Sequence, residues 1–397
     1  MDGPLRIFAV FLRMGCTSFG GPVAHLGYFH RQFVQRRAWI TEDTFTDLLA
    51  MCQFLPGPAS SQLGFALGLH RGGLPGGVAA WLGFTLPSAV AMGVAGTLLA
   101  GQMSAVPGWL LGLKALAVAV VAHAVIGMAW RQSASVVRTV VAALVAGALV
   151  VTARTSTAAL WAQPVAIAAG ALVGTLLLRN AARATVEPPR GHALGSAVAL
   201  AAAVGLLLCA WLVPPQTAIG AATAGTYTAG ALVFGGGHVV LPLLEAPFVQ
   251  NHWLPEGTVL AGYSLAQAVP GPLFTLASFL GAAMAAEAGR TAAASAFGAV
   301  LLTVAVFLPG LLLVLAAWPW WHRLRSWPAA SGAVAGASAA VVGVLAAALV
   351  DPVFPAGVRD GWSACLALGC LLLLHVPRVP VVAVVLAAAA YGHWLLA

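Results

Sequence analysis

Charged residues are scarce in this sequence: they make up 7% of its 397 residues, whereas apolar residues make up 61%. A soluble globular domain carries about 25% charged residues, because its surface faces water. So few charges cannot cover a surface in water, and apolar runs recur from one end of the chain to the other. Two or more soluble domains are therefore excluded, and we expect most of the chain to face lipid or other helices.

Lysine is nearly absent, since Lys114 is the only one, and the net charge of +8 comes from arginine. The arginines lie between apolar runs rather than on one face, which predicts anchors in cytoplasmic loops and no nucleic-acid partner. The five cysteines lack CxxC spacing, so we interpret them as small core residues. The histidines lack the HxxxH and HxxE patterns, and no P-loop is present. The sequence therefore predicts no metal site and no cofactor.

The sequence contains an internal duplication. Phe19-Gly20-Gly21 recurs as Phe234-Gly235-Gly236 at an offset of 215, and Pro56-Gly57-Pro58 recurs as Pro270-Gly271-Pro272 at an offset of 214. An ordered series of such matches with one gap indicates two homologous halves. The other matched pairs are Phe33 with Phe248, Trp39 with Trp253, Glu42 with Glu256, Gln53 with Gln267, and Leu86-Pro87 with Leu308-Pro309.

The two copies differ in charge where they otherwise match. The first copy carries His30-Arg31 and Arg36-Arg37, whereas the corresponding second segment begins with Glu245 and has no arginine. Arginine marks the cytoplasmic side of short loops, so the first segment should face the cytoplasm and the second the outside. We therefore predict an inverted-topology repeat, an arrangement common among secondary transporters.

Gly and Pro cut the start of each copy into short apolar pieces, which predict helical hairpins that enter and leave the membrane on one side. The plainer alternative is that some of these legs cross fully. The predicted legs are 5–19, 22–35, 43–55 and 58–70, then 217–234, 237–250, 256–269 and 272–287. The predicted full spans are 73–99, 107–130, 134–152, 157–178, 193–213, 291–317, 329–350, 361–376 and 378–396.

The predicted fold is an all-α polytopic membrane protein with an inverted-topology repeat of two homologous halves. Each half has two Gly/Pro-broken helical hairpins followed by about four transmembrane helices. Residues 1–178 form the first half, 179–213 the linker with a connecting helix, and 214–397 the second half.

The breaks predict an anion site. A helix that starts at a break points its positive dipole end and its unpaired N–H groups into the membrane, and such ends bind anions. Broken helices at membrane depth persist only inside protein or along a cavity, so the four breaks are expected to converge. The candidate substrate-binding residues are Arg13, Ser18, Gly20, Gly21, Gln53, Pro56, Gly57, Pro58, Ser60, Gly235, Gly236, His238, Gln267, Pro270, Gly271 and Pro272.

The charged residues within apolar segments have two interpretations each. Arg13 either offers its guanidinium to an oxyanion or extends to the cytoplasmic interface. Lys114 is predicted to extend outward from its span. Glu42 and Glu256 are either proton carriers or first-turn residues that complement the helix dipole, with Thr41 as the N-cap before Glu42.

Several of these segments resemble the chromate ion transporter family in its two-domain, long-chain form. They are Phe19-Gly20-Gly21-Pro22, Arg36-Arg37-Ala38-Trp39, Gln53-Phe54-Leu55-Pro56-Gly57-Pro58, Phe234-Gly235-Gly236-Gly237-His238 and Gln267-Ala268-Val269-Pro270-Gly271-Pro272. The resemblance covers nearly the whole chain. It implies chromate transport in a bacterial or archaeal inner membrane, usually efflux that confers chromate resistance, driven by the proton gradient. The second copy departs from the first at Gly237, which stands where Pro22 does, and in lacking the arginine pair.

Three other functions compete with chromate transport. Sulfate or molybdate is a tetrahedral dianion of similar shape, so the residues do not separate these substrates. A membrane-embedded enzyme would need clustered His, Asp or Glu, and the matched segments offer Gly, Pro, Gln and Ser instead, so we expect no enzyme. A passive anion channel would need a continuous polar path. The expected partners are the oxyanion and the lipid bilayer, and a homodimer is left open.

Overall fold

The computed structural model describes residues 3–18, 21–100, 108–132, 135–152, 159–178, 193–233, 240–321, 327–376 and 379–396. The regular elements within these ranges are all helices. Five of them are long and apolar enough to cross a membrane, namely Ala59–Leu99, Leu111–Trp130, Leu194–Leu212, Ala292–Ala317 and Pro328–Asp351. The prediction of an all-α polytopic membrane protein is confirmed.

The first copy starts with short helices that end where the sequence breaks. Helix α1 spans Pro4–Thr17, and α2 spans Gly21–Phe29 and continues as a π-helix at His30–Arg36. Helix α3 spans Glu42–Phe54, and α4 spans Ala59–Leu99. The Pro-Gly-Pro segment lies between α3 and α4, so the predicted legs agree with the observed helices to within a few residues.

Helix α4 has 41 residues but is two helices folded against each other. Gly72 and Gly73 have non-helical dihedral angles, and the φ of Gly73 is +63°. Beyond this turn the backbone of Gly76 packs directly on that of Gly68, with no room for a side chain on either. Residues 59–71 are therefore the second leg of a hairpin, and residues 74–99 are the following span, as predicted.

The remaining helices follow the same order in both copies. The first copy continues with α5 (Gly108–Gln132), α6 (Val136–Thr152) and α7 (Ala159–Leu177), and α8 (Ala193–Leu212) connects the halves. The second copy has α9 (Ala218–Leu232), α10 (Val240–Gln250), α11 (Glu256–Ala268), a 3-10 turn (Leu273–Thr275), α12 (Leu276–Glu287) and α13 (Ala292–Ala317). It ends with α14 (Pro328–Ala348), a π-helix (Leu349–Val353), a single turn (Phe354–Gly357), α15 (Gly361–Leu374) and α16 (Val381–Leu395).

The last two helices are shorter than the full spans predicted at 361–376 and 378–396. Helix α15 has 14 residues and α16 has 15, whereas a straight crossing needs about 20. Asp360 fixes the start of α15 through a capping box, in which its carboxylate accepts the backbone N–H of Ser363 at 2.8 Å. The same hydrogen bonds hold the pKa of the exposed Asp360 below its ordinary value. Pro380 precedes α16 and limits it at its start.

Equivalent helices of the two copies run in opposite directions. Gly271, just before α12, packs on Ser88, and Phe279 within α12 packs on Gly96, so α12 runs parallel to residues 74–99. The chain then reverses, and α13 packs antiparallel on α12. Since α13 is the counterpart of residues 74–99, the contacts agree with an inverted repeat.

The two copies also exchange their outer helices. Helix α5 of the first copy packs against α15 and α16 of the second, and α14 of the second packs against α6 and α7 of the first. Glycines bring the backbones together at both crossings: Gly112 contacts Gly392, and Gly336 contacts Gly170 and Gly174. Small residues allow close approach where lipid gives no hydrophobic drive to associate. The halves are therefore interlocked.

Candidate functional site

The two Pro-Gly-Pro turns are each held by the opposite copy. The N–H of Gly57 donates to the carbonyl oxygen of Val233 at 2.7 Å, and the N–H of Gly271 donates to that of Ser18 at 3.0 Å. Ser18 and Val233 follow α1 and α9 and directly precede the two Phe-Gly-Gly segments. Each Pro-Gly-Pro turn therefore lies against the residue that directly precedes the Phe-Gly-Gly segment of the other copy.

The central glycine of each turn has a backbone conformation that other residues rarely adopt. The φ of Gly57 is +128° and that of Gly271 is +113°, and both residues are buried. Glycine reaches this region without a steric penalty because it has no Cβ. The local sequence thus folds into a tight turn whose N–H can reach the neighbouring copy.

The residues that follow the two matched Leu-Pro pairs pack against these glycines. The Cα of Gly57 lies beside Gly310, which follows Pro309, and Gly271 lies beside Ser88, which follows Pro87. The Leu-Pro pairs matched in the sequence therefore belong to the same region as the Pro-Gly-Pro turns.

Gln62 ties the first turn to the second copy. Its Nε2 donates to the carbonyl oxygens of Pro56 at 2.9 Å and of Gly310 at 3.2 Å. The residue directly before it, Ser61, is 1% exposed, and its hydroxyl has no hydrogen-bond partner among the described residues. A buried donor without a partner is costly, and a ligand oxygen would remove that cost.

The two turn–break pairs lie near each other. The ring of Phe307, one helical turn before Gly310, is 6.0 Å from the ring of Phe274, which directly follows the second turn. Phe307 is also 5.9 Å from the ring of Trp81, two turns before Ser88. The expected convergence of the breaks is thus visible in the packing of the described residues.

His25 also belongs to this region, and sequence reasoning considered it only as a metal ligand. It is fully buried, and its Nε2 donates to the carbonyl oxygen of Ser18 at 3.2 Å, the same oxygen that accepts from Gly271. Its ring meets the edge of Phe84 at 5.2 Å between centroids. Its position one turn into α2, four residues after Gly21, was the available signal. The matched position in the second copy is Val240, so the two pairs differ chemically.

The predicted site residues differ in their exposure. Arg13 and Gln53 are exposed. Gly21 is the first residue of α2, and Gly20 lies outside the described residues. Those buried are Ser18, Gly57, Pro58, Ser60, Gln267, Gly271 and Pro272, with Pro56 and Pro270 partly exposed beside them. Gly235, Gly236 and His238 also lie outside the described residues.

Lys114 corrects one prediction. It was expected to extend outward, but it is 5% exposed, and its ammonium group packs against Gly257 at the start of α11. The missing side chain of Gly257 makes room for the ammonium group, and Glu256 provides an opposite charge nearby. The lysine therefore turns inward.

The carboxylates at the helix starts are placed as predicted. Glu42 and Glu256 lie in the first turns of α3 and α11. The Thr41 hydroxyl accepts the backbone N–H of Thr44 at 3.3 Å, which confirms Thr41 as an N-cap. In the described part of the chain, no three His, Cys, Asp or Glu side chains are grouped as metal ligands would be.

Replacing Gln62 with leucine should weaken the anion transport that the sequence predicts, without preventing folding. Leucine has a similar size but removes both hydrogen bonds that hold the first turn, each worth about 1 kcal/mol. We expect the rate of anion uptake by vesicles to fall about tenfold or more. Gln35→Leu, at an exposed position on the π-helix after α2, is the matched control. An unchanged rate in Gln62→Leu would show that the position of the turn does not limit transport.

Comparison with known proteins adds to this geometry. The sequence model of a family described as "Chromate transporter" matches residues 5–175 and again residues 220–393. The chromate transport protein of Pseudomonas aeruginosa is 31% identical over 351 residues, which cover 87% of this chain and 80% of that protein. A probable chromate transport protein of Synechococcus elongatus is 29% identical over 358 residues, 86% of this chain and 82% of that protein.

A third relative gives the same result. The chromate transport protein of Cupriavidus metallidurans is 29% identical over 355 residues, 87% of this chain and 81% of that protein. No solved structure matches the chain. The family model covers both copies, each with its own pair of breaks, and the chain therefore belongs to the chromate transporter family.

Proposed function

We propose that this protein is a secondary transporter that exports chromate across the inner membrane, uses the proton gradient, and confers chromate resistance. The observation that supports this proposal best is the pair of hydrogen bonds from Gly57 to Val233 and from Gly271 to Ser18. These bonds hold the two Pro-Gly-Pro turns against the ends of α1 and α9 in the protein interior, where an anion can find several backbone and hydroxyl donors. The named relatives are chromate transport proteins, which favours chromate as the anion.

The start of α4 offers a concrete set of donors. The N–H groups of Gly57 and Gly271 already donate to carbonyl oxygens, so we assign the anion to the unpaired N–H groups of the first turn of α4. The buried hydroxyls of Ser60 and Ser61 lie on that turn, and the Ser61 hydroxyl has no partner there. A tetrahedral dianion has four oxygens to satisfy and therefore needs several donors at once. We propose that the candidate residues named from the sequence line the path of the anion during the transport cycle.

Two alternatives remain within the same site. Sulfate or another tetrahedral oxyanion would use the same donors, and a passive anion channel would use them without coupling. We also propose the division into residues 1–178, 179–213 and 214–397 as the units inherited from the duplication, and leave a homodimer as the assembly to be tested.

Chromate flux into everted vesicles tests the proposal. We expect vesicles containing the protein to accumulate isotopically labelled chromate when energised, sulfate to compete weakly, and an uncoupler to abolish the accumulation. Vesicles with Gly57→Leu are the control for leak. Absence of chromate movement would reject the substrate, stronger transport of sulfate would favour the first alternative, and uncoupler-insensitive flux would favour the channel.

A further inference from the structure

Glu245 is a buried carboxyl group that does not belong to either Pro-Gly-Pro turn. It lies on α10 with 4% of its surface exposed, among the buried side chains of Leu241, Leu244 and Phe248. Its Oε1 has no hydrogen-bond partner in the described part of the chain. An ionised carboxylate in such surroundings is costly, and proteins avoid that cost by protonating the group. Ionisable residues at membrane depth are functional candidates for that reason.

The charges around Glu245 come from a few residues. Glu256 on α11 and Asp351 in the π-helix after α14 both act on it, and both are negative. The cations Lys114 and Arg359 act on Glu256. Glu256 thus has opposite charges beside it, while Glu245 faces two carboxyl groups.

The other helices packed on α10 contribute little charge. Helices α7 and α14 contain no ionisable residue. The only ionisable residue of α9 is Tyr227, whose hydroxyl donates to the carbonyl oxygen of Ala203 at 2.9 Å. Besides Glu256, α11 has Tyr263, which is fully buried. None of these four packed helices carries a lysine or an arginine, so the described surroundings of Glu245 favour the protonated carboxyl group.

The first copy has no buried carboxyl group at the position that corresponds to Glu245. The counterpart of Glu245 is His30 and that of Glu256 is Glu42. The Nε2 of His30 contacts the two carboxylate oxygens of Glu42 at 2.7 Å and 2.9 Å, and the Glu42 side chain is 63% exposed. At these positions the first copy has an exposed carboxylate hydrogen-bonded to a histidine, whereas the second copy buries a carboxyl group whose Oε1 has no hydrogen-bond partner among the described residues.

Helix α11 connects this cluster to the second Pro-Gly-Pro turn. Glu256 begins the helix and Pro270 follows its end, about 20 Å away along the axis. The Ser264 hydroxyl donates to the carbonyl oxygen of Leu113 at 2.7 Å, and Gly257 packs on Lys114, so α11 is held against α5 along its length. A change of charge at the start of α11 can thus reach the second Pro-Gly-Pro turn through one rigid element.

We propose that Glu245, in the cluster with Glu256, Asp351, Lys114 and Arg359, binds the proton that is exchanged for the oxyanion. The carboxylate takes up one proton from the predicted outer side when the anion site is empty and releases it when the anion is bound. This inference rests on the proposed function, because it assigns the coupling site of that transporter.

The test separates anion movement from proton coupling in liposomes containing the full chain. Counterflow measures exchange of labelled for unlabelled chromate at equal pH, and a second assay measures accumulation driven by a pH gradient. We expect Glu245→Gln to keep counterflow within about threefold of the unsubstituted protein and to lose at least about tenfold of the gradient-driven accumulation. Glu245→Asp should restore part of it, and Glu42→Gln, at the exposed counterpart of Glu256, should change neither assay.

Three outcomes decide the matter. Gradient-driven accumulation by Glu245→Gln at the level of the unsubstituted protein would overturn the assignment. Absence of counterflow in the unsubstituted protein would defeat the proposed function, and this inference with it. If Glu245→Gln does not fold, dicyclohexylcarbodiimide on the unsubstituted chain replaces it, since this reagent modifies protonated carboxyl groups in apolar surroundings. Mass spectrometry should then find Glu245 modified and Glu42 unmodified, and an unmodified Glu245 would overturn the assignment.

Discussion

Replacing Gly57 with leucine is expected to abolish transport and leave insertion into the membrane intact. The φ of +128° imposes strain of about 1–3 kcal/mol on any other residue. A Cβ at this position would also come within 3.0 Å of the Cα of Gly310 and 2.8 Å of the Nε2 of Gln62. The turn would have to move away from Val233, and the anion site would lose its geometry. We expect less than about 1% of the chromate flux, a loss of roughly 3 kcal/mol in transition-state terms.

Gly271→Leu should behave in the same way, because its Cβ would meet the Oγ of Ser88 at 2.6 Å at a φ of +113°. The matched control is Gly205→Leu on α8, where a Cβ would meet nothing within 4 Å. Flux is measured in everted vesicles, and the amount of inserted protein is measured by quantitative immunoblotting of the same membranes. Flux above about a tenth of the original in either variant would show that transport does not depend on the geometry of these turns.

The second large effect concerns two seams between the copies, namely the interface of α14 with α7 and the interface of α5 with α16. Gly336→Leu should prevent stable folding, because its Cβ would overlap the backbone of Gly170 and Gly174 on α7. Overpacking a tight interface costs about 1–3 kcal/mol or more, and here the clash is with backbone, which cannot rotate away. We expect a large drop in the unfolding temperature in detergent, measured by size-exclusion chromatography after heating.

Gly112→Leu tests the symmetric seam, since its Cβ would overlap the backbone of Ala388 and Gly392 on α16. Gly147→Leu on α6 is the control, because a Cβ there meets nothing within 4 Å. Loss of stability in both seam variants, with the control unchanged, is the expected pattern. Gly336→Leu with an unchanged unfolding temperature would contradict the packing of α14 on α7.

The duplication made much of the architecture predictable. The ordered matches, from Phe19 with Phe234 to Leu86-Pro87 with Leu308-Pro309, predicted the same order of helices in both copies. The inversion was predicted from charge, because the segment after Glu245 has no counterpart of the Arg36-Arg37 pair. Gly and Pro gave the helix ends closely, because these residues act through local backbone chemistry that needs no tertiary information.

The contacts between the two copies could not be predicted from the sequence. Nothing local shows that the N–H of Gly57 would donate to Val233, since these residues are far apart in the chain and their meeting depends on the packing of α4 on α13. His25 was missed because its place in the site depends on tertiary contacts. Phe84 from α4 packs on its ring, and Gly271 of the other copy shares the Ser18 carbonyl oxygen with it. Lys114 was placed outside for the same reason: the gap at Gly257 that admits its ammonium group is formed by another helix.

The reciprocal bonds at Gly57 and Gly271 also restrict how the molecule can move. Separating the two copies as rigid bodies would leave the N–H groups of Gly57 and Gly271 without their acceptors in a medium that supplies no water. In the proposed transport cycle, the motion that alternately opens the two faces is therefore expected to keep both bonds. A rearrangement of the peripheral helices around a fixed centre satisfies this condition, and a clamshell opening between the copies does not.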